Sequence, residues 1–163
     1  MPTHEGGVLS RGSVEGNLEL QGVRVVTGVI GEDIHVVGLR ILEHALKSAG
    51  AHVISLGVQT PIDEFVEAAQ ESAADAIFIS SSNGHAGFAC EGFKDDMVEA
   101  GLGRVLLYIG GQLVVGRPDW SSVHEQFEKL GFDRVYPPRT NPKRAIADLA
   151  QDLRLRDRPQ VAL

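Results

Sequence analysis

Two hydrophobic patterns alternate along the chain, and the first of each lies near its start. Residues 23–30 are β-branched and mostly apolar, which is typical of a parallel strand buried on both faces. After a polar loop at residues 31–35, apolar side chains between Val37 and Ala49 recur at helical spacing, which predicts an amphipathic helix. This order of strand, loop and covering helix is typical of the start of a βαβ unit.

The same alternation continues through the rest of the chain. It predicts a helix that begins at residue 61 with Thr60 as its N-cap. The other predicted strands are residues 53–56, 76–79, 105–109 and 134–136, and the other helices are residues 88–100, 120–130 and 142–153. We therefore predict an α/β, flavodoxin-like (Rossmann-like) three-layer sandwich, whose five parallel strands have the order 2-1-3-4-5.

Length and composition agree with one globular domain. The chain has 163 residues, of which 43% are hydrophobic and 23% charged, enough to bury a core without cross-links. Residues 1–21 are rich in Gly, Ser and Glu and lack periodicity, so we expect a flexible extension there. The predicted domain covers residues 22–155, and residues 156–163 are expected to form a C-terminal tail.

The charge of the chain bears on which partners it can bind, and its cysteine content bears on the compartment in which it works. The formal net charge is −7, which argues against binding to nucleic acid or to an anionic membrane surface. We find no secretory signal and no apolar run of membrane-spanning length. The single cysteine, Cys90, excludes an intramolecular disulfide and fits a reducing compartment. We expect a cytoplasmic protein.

A ligand site is expected at the carboxyl edge of such a sheet, near the switch between strands 1 and 3. Three loops should meet there: residues 31–38 after strand 1, residues 80–85 after strand 3, and residues 110–116 after strand 4. The first supplies acids and His35, the second supplies hydroxyls, and the third begins with Gly110 and Gly111. Backbone without side chains lets a bulky group approach closely.

Neither a phosphate-binding first loop nor a phosphoacceptor site is favoured by these residues. Glu32 and Asp33 in the first loop would repel a nucleotide or flavin phosphate, and no glycine-rich dinucleotide or P-loop motif occurs. A phosphoacceptor domain would need an aspartate at the end of strand 3. Ser80 stands there, and Asp75 lies at the opposite end of that strand.

The pair Asp33-x-His35 fits metal coordination. One nitrogen of a neutral imidazole can bind a metal, while a carboxylate accepts the proton of the other and fixes the tautomer. The spacing alone equally allows Asp33 to cap the following helix, with His35 as a first-turn residue. Likewise, Ser80 and Ser82 could be turn residues. A zinc site formed by Asp33, His35 and His85 is a further, weaker alternative.

The segment Asp33-Ile34-His35-Val36-Val37-Gly38 resembles the Asp-x-His-x-x-Gly signature of cobalamin-binding domains, and residues 80–82 and 110–111 resemble that family's Ser-x-Leu and Gly-Gly segments. Longer stretches at residues 29–31, 109–116 and 131–136 are similar to the small, cobalamin-binding subunits of glutamate (methylaspartate) mutases. The sequence differs from the pattern at three places. Ser82 stands in place of leucine, Glu32 in place of a small residue, and Arg139 in place of a glycine.

The resemblance implies adenosylcobalamin as cofactor, with His35 as the axial cobalt ligand and Asp33 holding its imidazole. It implies no catalytic residue in this chain. It implies a large barrel-fold catalytic subunit as partner, in a heterotetramer of two small and two large subunits that interconverts L-glutamate and L-threo-3-methylaspartate by a radical mechanism. The implied cofactor-binding residues are Glu32, Asp33, Ile34, His35, Val36, Gly38, Ser80, Ser81, Ser82, Gly110, Gly111, Gln112, Leu113, Val114, Val115, Gly116, Tyr136 and Pro137.

Other functions remain open at this point. The chain could be a corrinoid methyl carrier, a cobalamin-sensing domain, or the small subunit of another acyl or amino-acid mutase. It could also be a flavodoxin-like interaction domain that binds no cobalamin. The short N-terminal extension leaves no room for the helical cap that often precedes the binding domain in methyl carriers and sensors.

Overall fold

The computed structural model describes residues 18–33 and 35–158. The strands are β1 (Arg24–Val29), β2 (His52–Ser55), β3 (Ala76–Ser81), β4 (Leu106–Gly111) and β5 (Arg134–Tyr136). The helices are α1 (Val37–Ser48), α2 (Ile62–Ser72), α3 (Ala86–Ala89), α4 (Phe93–Glu99), α5 (Trp120–Lys129) and α6 (Pro142–Arg156). All neighbouring strands are parallel and their order is β2-β1-β3-β4-β5, which confirms the predicted fold.

Two apolar cores lie on opposite faces of the sheet. Because side chains alternate along a strand, Val26 and Ile77 point to one face and Val25 and Phe78 to the other. The first face is covered by α2, α4 and α5, and the second by α1 and α6. Five of the six residues of β1 are buried, as the continuous apolar run predicted.

The structure corrects two predicted helices. The single helix predicted at residues 88–100 is divided into α3 and α4, because Gly92 has a φ of +78°, outside the helical range. Thr60 does not cap α2, since its hydroxyl donates to the Val58 carbonyl oxygen at 3.5 Å. Pro61 holds the N-cap position in an extended conformation, and α2 begins at Ile62.

The ends of the domain also differ from the predicted bounds. Of the extension predicted over residues 1–21, residues 1–17 lie outside the described residues, but Leu20 is fully buried in the α1–α6 core. At the other end, α6 continues to Arg156, which forms a 3.2 Å ion pair with Asp75 at the start of β3. Within the described ranges, no helix is long and apolar enough to cross a membrane.

Candidate functional site

The strand register brings the predicted loops to one edge of the sheet. Val29 at the end of β1 pairs with Ser80 in β3, Ser80 pairs with Gly110 in β4, and Gly110 pairs with Tyr136 in β5. Four of the five strands therefore end in one row, and the loops that follow them share one surface. This is the edge at which open α/β sheets bind ligands.

A buried carboxylate ties two of these loops together. Asp33 is 1% exposed, and its Oδ2 accepts a hydrogen bond of 2.5 Å from the backbone N–H of Ser82, in the loop after β3. Its Oδ1 accepts a bond of 2.9 Å from the backbone N–H of His35 and lies 2.6 Å from Nδ1 of the same residue. Asp33 thus fixes both the position of the β3 loop and the orientation of the imidazole.

The electrostatics of Asp33 determine the tautomer of His35. Burial alone would raise the pKa of the Asp33 carboxyl, but the backbone N–H groups of His35 and Ser82, together with the imidazole, outweigh it and hold that pKa below its ordinary value. An ionised carboxylate only accepts hydrogen bonds, so Nδ1 of His35 carries the proton. In the neutral imidazole, Nε2 then has a free lone pair, on a side chain that is 63% exposed.

The helix-cap alternative for Asp33 is wrong. Helix α1 begins at Val37, its N-cap is Val36, and no side chain caps it. Asp33 and His35 precede the helix and belong to the loop after β1. The zinc alternative gains no support either. Among the described residues, no group of three or more His, Cys, Asp or Glu side chains is arranged to hold a metal ion.

A groove of about 320 Å³ opens beside this loop, on the face covered by α1 and α6. Eight of the residues predicted from the sequence line it: Gly38, Ser80, Ser82, Gly110, Gly111, Gln112, Tyr136 and Pro137. Its remaining lining comes from α1, β3, α6 and the loop after β5: Ile41, Leu42, Phe78, Pro138, Arg139, Thr140, Asn141, Pro142 and Ala145. The groove is therefore the slot between sheet and helices that a long, partly apolar ligand could enter.

Three of the nine missed lining residues follow from simple periodicity. Ile41 and Leu42 stand three and four positions after Gly38, so they share its face of α1. Phe78 stands two positions before Ser80 and shares its face of β3. The contribution of α6 had no local signal, because it depends on how that helix packs against α1.

Two glycines shape the groove in different ways. A Cβ at Gly38 would meet only the Ser80 Oγ at 4.0 Å, so the missing side chain leaves open space between α1 and β3. A Cβ at Gly111 would lie 2.1 Å from the carbonyl oxygen of Ser81, and the backbone there has a φ of +117°. Glycine is therefore required at the end of β4 for that strand to pass so close to β3.

The other predicted residues lie outside the groove. Ser81 and Glu32 line a separate cavity of about 590 Å³ on the opposite face, as does His85. Ser81 is buried, and its hydroxyl has no hydrogen-bond partner among the described residues. The remaining positions do not line the groove: Val36 precedes α1, Leu113 is buried in the core, Val114 pairs with His85, and Val115 and Gly116 are exposed. Ile34 lies outside the described residues.

Comparison with known proteins shows the family of the chain. A family model described as "B12 binding domain" matches residues 23–147, so the chain contains a B12-binding domain. Glutamate mutase sigma subunits from Carboxydothermus hydrogenoformans and Clostridium cochlearium are 51% and 47% identical to the chain. The matches cover 82% and 80% of this chain and 97% and 96% of those subunits. The chain belongs to the family of glutamate mutase sigma subunits.

Solved structures with low identity support the fold alone. A cobalamin-binding protein from Desulfitobacterium hafniense superposes with a TM-score of 0.67 at 19% identity, over 81% of this chain and 59% of that one. The receiver domain of the response regulator NarL from Mycobacterium tuberculosis superposes with a TM-score of 0.57 at 14% identity, over 80% and 98%. The same sheet order thus serves different functions, and the site must distinguish them.

Proposed function

We propose that this chain is the cobalamin-binding subunit of an adenosylcobalamin-dependent glutamate mutase, in which His35 would be the residue that binds cobalt. One observation carries the proposal. Asp33 holds Nδ1 of His35 at 2.6 Å and leaves Nε2 free on a largely exposed ring at the carboxyl edge. Histidines that bind metals in proteins commonly donate their second N–H to a carboxylate in this way.

The groove beside His35 suits the nucleotide tail of cobalamin, with its benzimidazole base released from cobalt. Its floor is apolar, formed by Phe78, Leu42 and Ala145, and its mouth carries the hydroxyls of Ser80 and Ser82. The space that a Cβ at Gly38 would fill leaves the entrance open. An aromatic base would thus meet apolar side chains, and a ribose would meet hydroxyl groups.

Each part of the chain then has a distinct role. Asp33 keeps the imidazole in one tautomer, and the hydrogen bond that it accepts from Ser82 N–H holds the loop after β1 beside the groove. When bound, adenosylcobalamin supplies radical chemistry through its weak cobalt–carbon bond. The protein contributes position and electrostatics.

Substrate recognition is assigned to another chain in this proposal. The name "sigma subunit", carried by relatives that this chain matches over nearly their whole length, implies a partner catalytic subunit. We assign to that partner a barrel fold, and to the assembly two small and two large subunits that interconvert L-glutamate and L-threo-3-methylaspartate. We place the assembly in the cytoplasm. The exposed face around His35 would lie against the partner, with the corrin ring between the subunits.

Electron paramagnetic resonance of bound cobalamin in the Co(II) state tests the ligand assignment. Protein labelled with ¹⁵N-histidine should convert the ¹⁴N superhyperfine triplet of the axial ligand into a doublet, because the ligand nitrogen then comes from the protein. His35→Ala should abolish the doublet. His85→Ala is the matched control, since His85 is exposed near the same edge but lines the other cavity, and it should keep the doublet.

Two results would overturn the proposal. A triplet that persists in the labelled wild-type protein would mean that no histidine of this chain binds cobalt. Failure of the wild-type chain to bind cobalamin, alone or with a competent large subunit, would remove the cofactor assignment. The reaction is tested separately, by mixing the chain with the large subunit, adenosylcobalamin and L-glutamate and measuring 3-methylaspartate.

A further inference from the structure

The groove has an uneven distribution of charge. Phe78, Leu42 and Ala145 make its floor apolar, and the one charged side chain in its lining is that of Arg139, which lies exposed in the loop after β5. The chain as a whole has 22 acidic and 15 basic residues, yet no acidic side chain lines this groove. A ligand that matches this groove has an apolar end and one anionic group.

Arg139 has no evident structural purpose within the chain. Among the described residues, it forms no ion pair and donates no hydrogen bond, whereas Arg134, nearby in β5, is paired with Asp152. Its backbone has a φ of +65°, a conformation that costs energy for any residue with a side chain. Internal packing therefore gives no reason for arginine at this position, and a bound anion would give one.

We propose that the Arg139 guanidinium binds the phosphodiester in the nucleotide tail of cobalamin. The inference rests on the proposed function, because it requires that tail to occupy the groove. The phosphodiester is the one anionic group outside the corrin ring, since the ring's side arms are neutral amides. A guanidinium presents parallel N–H donors that match two phosphate oxygens. With the base on the apolar floor, the phosphate would stand nearer the exposed rim.

Cobalamin titrations of the wild type and two variants at low and high salt test the inference. Arg139→Gln removes the cation and keeps a side chain of similar length. We expect its cobalamin affinity at low salt to fall by roughly ten-fold, a modest value because the residue is exposed. The wild-type affinity should weaken with added salt, and that of Arg139→Gln should weaken less. Arg144→Gln is the matched control, since it makes the same change of net charge at an exposed position that does not line the groove.

Cobinamide, which lacks the phosphoribosyl-benzimidazole, identifies the group that is recognised. Arg139→Gln should bind it as well as the wild type does. An equal loss of affinity for cobinamide and cobalamin would assign Arg139 to the corrin ring and overturn the inference. So would an unchanged cobalamin affinity in Arg139→Gln, or an equal loss in Arg144→Gln. A wild-type chain that binds no cobalamin would instead overturn the proposed function, so the two failures are distinguishable.

Discussion

Replacing Asp33 by asparagine changes the site by one charge and almost no volume. In the wild type, the carboxylate accepts hydrogen bonds from two backbone N–H groups, that of Ser82 at 2.5 Å and that of His35 at 2.9 Å. It also lies 2.6 Å from Nδ1 of the His35 imidazole. An asparagine has one acceptor oxygen, and its amide nitrogen must face one of these donors. The most conservative orientation keeps both contacts with His35 and leaves the N–H of Ser82 without a partner.

The size of the effect follows from burial. The Asp33 side chain is 0% exposed, so the backbone N–H that faces it has no water to replace the lost hydrogen bond. The expected loss is about 1–3 kcal/mol of folding free energy. For a chain of this size, that loss lowers the melting temperature by roughly 2–4 °C per kcal/mol. The affinity of the chain for cobalamin is expected to fall as a separate effect, by about 10–100-fold, because a neutral amide no longer fixes and polarises the imidazole.

Two measurements on the same variant separate these effects. Thermal or urea unfolding without cofactor reports the loss of folding free energy, and cobalamin titration at a temperature where both proteins are folded reports the loss of affinity. Asp119→Asn is the matched control, because Asp119 is exposed and its side chain makes no capping bond. Asp33→Asn with wild-type stability and wild-type affinity would refute the role assigned to this carboxylate.

Three further variants test the groove, the sheet and the charge network. Gly38→Leu should fill the open space beside α1, so cobalamin titration should reveal weaker binding while the unfolding curve stays close to wild type. Gly111→Ala should lower the free energy of unfolding, measured in urea, by at least about 2 kcal/mol. Gly57→Ala is the control and should lower it by about 1 kcal/mol, because φ is also positive there but no atom lies within 4 Å of the added Cβ. Equal losses in the two variants would contradict the steric argument. The hydrogen bonds from Arg134 chiefly hold the pKa of Asp152 below its ordinary value of 3.8. The ionised Asp152 therefore stabilises the folded state above pH 3.8, and this contribution is lost as the pH falls through the lowered pKa. Asp152→Asn should thus be less stable than wild type at pH 7, with a difference that shrinks in acid; a constant difference would be inconsistent with the lowered pKa.

The sheet was predictable because its local and global requirements agree. A strand buried on both faces needs a continuous apolar run, and β1 has one, with five buried residues out of six. The break between α3 and α4 was not predictable in the same way. A single glycine is tolerated inside a helical pattern, and only the conformation of Gly92, the N-cap of α4 with a φ of +78°, keeps α3 and α4 from forming one helix.

The candidate site was predictable only in part, because its key contact is long-range. The Asp33–His35 pair stands two residues apart in the sequence, so its chemistry could be proposed from spacing. The bond from Ser82 N–H to Asp33 joins residues 49 positions apart and depends on the register between β1 and β3. The residues around Asp33 in the sequence do not distinguish a carboxylate that caps the following helix from one that accepts a hydrogen bond from the loop after β3.

The run Ser80-Ser81-Ser82 could have been divided from the sequence alone. Side chains of successive strand residues point to opposite faces, so Ser80 and Ser82 had to share one face and Ser81 the other. The structure has this division: Ser80 and Ser82 line the groove, while Ser81 lines the cavity on the α2 side. The pleat thus gives Ser81 different surroundings from its two neighbours. If the nucleotide tail occupies only the groove, Ser80 and Ser82 can contact it, and Ser81 has to act on the other side of the sheet.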